Sequence, residues 1–130
     1  ADLTVTDLCS LPGGCHNAHL FKDGVIFNDT GSDVVRFVSR QNGEVVNPVP
    51  KFNHSDLHKT GLDDSRIARQ GFGRGMCTIN EQFIAAGSSP STISLIDIQN
   101  GERLAAVNLT TDIRNAIHGL EVWPRHWEDD

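Results

Sequence analysis

Displaced by 58 positions, the chain falls on itself without a gap: HLFKDGVIFNDTGSDVVRFVSRQNGEVV, from His19, lies on CTINEQFIAAGSSPSTISLIDIQNGERL, from Cys77. Identities are few: Ile26 on Ile84, then Gln41-Asn42-Gly43-Glu44 on Gln99-Asn100-Gly101-Glu102. The apolar pattern carries the match. Phe21 meets Ile79, Val25 meets Phe83, Val35 meets Ile93, Phe37 meets Leu95 and Val46 meets Leu104. A repeat of this kind constrains the fold strongly, because each copy must be one supersecondary unit that buries its apolar face against its neighbour.

Each copy reads as four short strands. An apolar stretch reaches a polar turn (Lys22-Asp23-Gly24, or Asn80-Glu81-Gln82), and a second apolar run follows (Val25-Ile26-Phe27, or Phe83-Ile84-Ala85). A loop of small residues comes next, at 29–33 and 87–91, then a third strand at 34–38 and 92–98. Asn42-Gly43 and Asn100-Gly101 open the fourth strand in each copy. Asn-Gly between β-prone runs predicts a type I′ hairpin turn, whose two central residues both need positive φ. The fold class is therefore all-β, with repeat 1 over 16–46, an insertion over 47–75 and repeat 2 over 76–107, in a single domain of 130 residues.

Four strands in a meander, repeated along the chain, resemble the blades of bacterial β-propeller proteins of uncharacterised function, most closely their C-terminal blades. The segment Asn115-Ala116-Ile117-His118-Gly119-Leu120-Glu121-Val122-Trp123-Pro124 is similar to the inner-strand ending of a final blade, so a partial blade is expected over 115–124. The resemblance implies about two and a half blades, whereas closure takes roughly four or more blades of about 40 residues each. Self-association, or a partner chain supplying further blades, is then expected, because an open stack leaves an apolar face and an unpaired edge. An ordinary closed sandwich or barrel is the other arrangement this length permits.

The insertion differs in character. Asn47-Pro48-Val49-Pro50 ends a strand, residues 62–69 read as a short helix with Asp63 and Asp64 in its first turn, and Gly71-Phe72-Gly73-Arg74-Gly75 reads as a flexible approach to the second copy. A second short helix is expected over 111–116.

Charge narrows the partners. The formal charge of -6 and pI of about 5.4 argue against nucleic acid and anionic membrane surfaces, and the basic residues do not cluster beyond Arg66, Arg69 and Arg74. Apolar runs of about four residues are far too short to span a bilayer as a helix. The first residues lack a basic region followed by an apolar run, so no uncleaved leader is expected; a mature exported chain would read the same. Three cysteines, Cys9, Cys15 and Cys77, fit reduced thiols in the cytoplasm, the default compartment, or one Cys9–Cys15 bridge beside a free Cys77. The Asn-x-Ser/Thr triplets at Asn28, Asn53 and Asn108 read as accidental among nine asparagines.

Histidine is the enriched reactive type. His16 and His19 flank the first inner strand, His118 opens the last, His54 and His58 lie in the insertion, and His126 is in the tail. At the start of an inner strand a side chain can face a central channel, so His16, His19 and His118, with Arg74, are the candidate ligand-binding residues for a small molecule, a metal or acid–base chemistry. In a regular strand His16 and His19 face opposite sides, so both can serve only if one is on a loop. His54 and His58 have helical ligand spacing, although Asn53-His54-Ser55-Asp56 reads better as a helix cap. Cys77 reads as a buried inert thiol, Trp123 as core, and Trp127 as an exposed aromatic of the kind that anchors interfaces. Arg74 offers a planar donor fork suited to carboxylate or phosphate. No nucleophile, phosphate-loop, Cys-x-x-Cys or calcium-loop motif is present, no cofactor is indicated, and Gly71-x-Gly73-x-Gly75 is not a dinucleotide fingerprint. The functional expectation is a binding or assembly module completed by oligomerisation or a partner chain. The alternative is an enzyme or metal-binding protein with a histidine-lined site at the channel mouth.

Overall fold

The computed structural model describes residues 2–7, 9–41, 43–61 and 69–123. Eight strands form two antiparallel four-stranded sheets, each a meander in chain order. Sheet one holds β1 (His16–Phe21), β2 (Gly24–Asp29), β3 (Val34–Ser39) and β4 (Gly43–Pro48). Sheet two holds β5 (Met76–Thr78), β6 (Phe83–Ser88), β7 (Thr92–Asp97) and β8 (Glu102–Asn108). Among the described residues the only helical element is one 3-10 turn at His54–Asp56. The chain is all-β.

Period-two patterning explains the layers. Burial alternates along β3, placing Val35 and Phe37 on the face toward sheet two, where Phe21 and Ile26 join them. Met76, Ile84, Ala86 and Ile96 meet them from sheet two, and Ile98 completes the cluster. Phe21 and Phe37 pack edge-on with ring centroids 5.5 Å apart, worth about 0.5–1.5 kcal/mol beyond the area they bury.

Strand pairing corrects the ungapped alignment. Gly24 pairs with Ser39 and Phe83 with Asp97, so β2 corresponds to β6 at a displacement of 59 while β3 corresponds to β7 at 58. The connecting loop accounts for the difference, with four residues at 30–33 but three at 89–91. A latch at the base of each hairpin identifies the same equivalences. The Arg40 N–H donates to the Asp23 carbonyl at 3.3 Å, and the Ile98 N–H to the Gln82 carbonyl at 2.9 Å. The Ser39 hydroxyl donates to Asp23 at 2.5 Å, and the Gln82 amide to Asp97 at 2.8 Å.

A one-residue change of register exchanges the two faces of a strand. Ile26, Val35 and Phe37, which face sheet two, therefore correspond to Ala85, Ile93 and Leu95, which face away from sheet one. The sheets stack one behind the other in the same sense. On the far face of sheet one, Phe27 is only 1% exposed, beside Arg36, Val38 and residues 9–12.

Several local expectations are corrected. Asn100 does not adopt positive φ, although Gly101 does (72°), so the β7–β8 connection is not a type I′ turn. Asp97 accepts the Gln99 N–H and Asn100 accepts the Glu102 N–H instead, which spreads the turn over residues 98–101. The matching turn at Asn42 and the helix expected over 62–69 fall largely outside the described residues; Arg69, at its end, is not helical. Residues 111–116 are not helical, because Thr110 and Asp112 take the backbone donors of Asp112 and Arg114 while His58 and Asp112 form a bridge. No strand forms over 115–123, and Trp123 is 69% exposed rather than core. Yet Ile117 sits against Gly87, where a Cβ would lie 2.5 Å from the Ile117 side chain. Gly73 sits against Asn28 in the same way, and Asn28 corresponds to Gly87, so 117–119 abuts sheet two as 73–75 abuts sheet one.

Replacing Phe37 by Ala should cost about 3–5 kcal/mol in a urea titration, since the ring fills the layer between the sheets. Gly24→Ala should also destabilise, because its Cβ would lie 2.0 Å from the Val38 carbonyl oxygen. Acid stability carries a third expectation. The side chain and then the backbone of Arg114 hold the Asp112 carboxyl down to about 2, from an ordinary 3.8. The unfolded chain therefore binds the proton first. Stability from this pair is complete above about pH 4 and is lost as the pH falls toward 2. Asp112→Asn should flatten the fall of stability over that window, read from urea midpoints at successive pH values.

Candidate functional site

Three of the four candidate residues meet at the inner ends of the two sheets. His16 opens β1, Arg74 lies just before β5, and His118 lies in the segment that abuts sheet two. His16 and Arg74 are 58 positions apart, so they occupy equivalent places in the repeat. The guanidinium of Arg74 stacks over the Phe72 ring at 4.7 Å, and the His16 ring packs against the same Phe72 at a centroid distance of 5.5 Å. Arg74 Nη1 and His118 Nδ1 are 3.0 Å apart.

The backbone here is clasped, not flexible. Asn28, fully buried, donates its amide to the carbonyls of Arg74 at 3.0 Å and Gly75 at 3.4 Å, and the Asn17 amide also donates to the Arg74 carbonyl. The glycines beside Arg74 serve close approach. A Cβ at Gly73 would lie 2.8 Å from the Asn28 side-chain oxygen, and one at Gly75 would lie 2.8 Å from the Ile117 carbonyl. The Gly75 N–H donates to that carbonyl at 2.8 Å, which fixes the neighbouring His118 segment.

The hydrogen-bond network assigns both imidazole tautomers. The Thr30 hydroxyl donates to the Gly73 carbonyl at 2.8 Å, so its oxygen accepts from His16 Nδ1 at 2.9 Å, and the lone pair of a neutral His16 lies on Nε2. Arg74 can only donate, so His118 Nδ1 accepts and its proton is on Nε2. One histidine thus presents an acceptor and the other a donor. Behind them, Arg69 bonds the Thr30 carbonyl at 2.6 Å and pairs with Asp33, which Lys51 also holds at 2.6 Å. Burial raises the Asp33 carboxyl, but the hydrogen bonds from Lys51 and Arg69 outweigh it, so the group stays below its ordinary value.

His19 does not join the cluster. A bulge with Asn17 at φ 51° places His16 opposite Asn28 and His19 opposite Ile26, two residues apart, so the pair share a face without either lying on a loop. His19 is exposed there and makes no side-chain hydrogen bond, ion pair or ring contact among the described residues. The helical spacing of His54 and His58 is not realised: the 3-10 turn ends at Asp56, and Asn53 precedes it without a side-chain capping bond. Among the described residues no group of three or more His, Cys, Asp or Glu is placed to hold a metal ion. His126 and Trp127 lie outside the described residues. Phe72, Thr30, Asn17 and Asn28 had no signal as site residues in the sequence. Arg74 had one unused: carrying the repeat three residues upstream of His19 sets His16 on Arg74.

The thiols Cys9, Cys15 and Cys77 are unbridged. Cys77 is 8% exposed, and burial, then the charge of Glu121, pushes its thiol up. Native protein should therefore give two fast-reacting thiols, Cys9 and Cys15, and one slow thiol, Cys77, that reacts fully only on unfolding. A disulfide-exchange reagent followed by peptide mapping reads this directly; rapid native labelling of Cys77 would contradict it.

No protein-family model, no curated protein and no solved structure matches this chain.

Proposed function

We propose that this chain is a propeller-like binding and assembly module, completed by further four-stranded sheets from a second copy of itself or from a partner chain. One observation carries the reading. The outward face of sheet two, lined by Ala85, Ile93, Leu95, Ala105 and Val107, corresponds position by position to the face of sheet one that receives sheet two. What sheet one packs against sheet two as the buried Ile26, Val35 and Phe37 and the half-buried Val45, sheet two presents outward as Ala85, Ile93, Leu95 and Ala105. Val107 is 52% exposed and Leu104 49%, and β8 is an edge strand with its outer backbone groups unpaired within the described sheet.

The test is the solution mass of the purified chain by light scattering, alone and with Leu95→Glu or Val107→Glu. A defined oligomer at micromolar concentration, reduced to a folded monomer by either substitution, is the expected result. A folded wild-type monomer that captures no blade-bearing partner would remove the reading and favour a self-sufficient two-sheet sandwich.

A second reading, a ligand site served by histidines, is favoured by the convergence of His16, Arg74 and His118 around Phe72. It would give the assembled body something to bind at the inner ends of its sheets. Whether the chemistry there is catalysis or capture is decided by turnover, and metal content measured on the same sample tests the metal-binding form of the idea.

A further inference from the structure

We infer that Arg74, held in place by His118 and with His16 beside them, forms a site for a small oxyanion, a carboxylate or phosphate group. The inference starts from a charge without a counter-charge. Among the described arginines, Arg36, Arg69 and Arg114 hold carboxylates, at Asp29, Asp33 and Asp112, while Arg40, Arg74 and Arg103 form no ion pair; of these three only Arg74 has a buried, unpartnered side-chain nitrogen. Arg74 has no acidic partner among the described residues, although the chain carries 17 Asp and Glu against 11 Lys and Arg. Its side-chain contacts are the Phe72 ring and His118, and its buried Nε–H has no acceptor. A guanidinium is always charged and has five donors, so one left with a single imidazole acceptor is under-satisfied.

The surroundings favour an anion over a cation. Asp33, the acid beside Arg69, is already held by Lys51 and Arg69. Arg69 lies over the same Phe72 ring at 5.3 Å, adding a second positive charge to the locality. The His118 contact occupies Nη1 and Nε is buried, which leaves the Nη2 donors of the guanidinium for an oxygen of a carboxylate or phosphate. His118, whose Nδ1 accepts from Arg74, carries its Nε2–H on the opposite edge of the ring, so it holds the guanidinium in place and does not itself bind the anion. His16 contributes an Nε2 lone pair, which accepts the remaining proton of a hydrogen phosphate or of a hydroxy acid, or becomes a donor on protonation.

Position adds to the case. The carbonyl of Arg74 is held by two amides, and Gly73 and Gly75 are hemmed in by Asn28 and Ile117, so the fork is delivered from a fixed backbone. Preorganised donors lose little entropy on binding. This site does not depend on assembly, since its residues all belong to one chain.

The experiment titrates the full chain with inorganic phosphate and, separately, with acetate, at constant ionic strength, following the imidazole resonances of His16 and His118 by NMR. Saturable shifts are expected with at least one anion; phosphate alone or acetate as well identifies which oxyanion the fork prefers. Arg74→Gln should weaken binding by about tenfold or more, the scale of losing hydrogen bonds to a charged group. Arg103→Gln, remote from the cluster and bonded to the Pro48 carbonyl, should leave it unchanged. His118→Ala, at an exposed position, supplies the same comparison if Arg74→Gln does not fold, and should weaken binding severalfold. Linear, non-saturating shifts with both anions, or equal binding by wild type and the Arg74 or His118 variant, would overturn the assignment.

Discussion

Neither four-stranded meander can bury its apolar face alone, and everything else in this molecule depends on the contact between them. Ile26 and Phe37 on sheet one meet Ile84 and Ile96 on sheet two, and the layer is closed by Phe21, Val35, Met76 and Ile98. That layer brings the end of β2 close enough to the segment before β5 for Asn28 to bond two of its carbonyls. The clasp cannot form without the layer. The site cannot form without the clasp.

The crossing of 73–75 between Asn28 and Ile117 shows why small residues matter here. Sequence alone suggests that Gly73 and Gly75 give Arg74 freedom to move. The packing gives them the opposite role, because neither takes positive φ and each has its missing side-chain volume filled by a neighbour. The arginine between them is therefore aimed, with its guanidinium against Phe72 and its tip at His118.

The strands and the repeat were legible because alternation in β3 and β7, and the Gln-Asn-Gly-Glu turn, survive in the residues themselves. The relation between the sheets was not. Val25-Ile26-Phe27 and Phe83-Ile84-Ala85 are apolar on both faces, so a hairpin loop one residue shorter leaves no trace in the apolar pattern while it exchanges the faces. Likewise His16, Arg74 and His118 could be picked out by type and by their places at the starts of inner segments, but Phe72, Thr30, Asn17 and Asn28 join them only through space. The bulge at Asn17 is the hardest to foresee, since nothing in His16-Asn17-Ala18-His19 announces an extra residue.

The 59-and-58 displacement has a consequence for symmetry. Had the sheets met by equivalent faces, a pseudo-twofold would relate them, both apolar faces would be consumed, and the pair would be closed. Stacking in one sense instead gives the body a head and a tail that differ, so a further copy that continues the stack joins heterologously, like to unlike. Such a joint carries no internal stop. Whether it ends in a ring or runs on as a fibre is set by the angle between successive sheets, a geometric quantity that no single residue encodes.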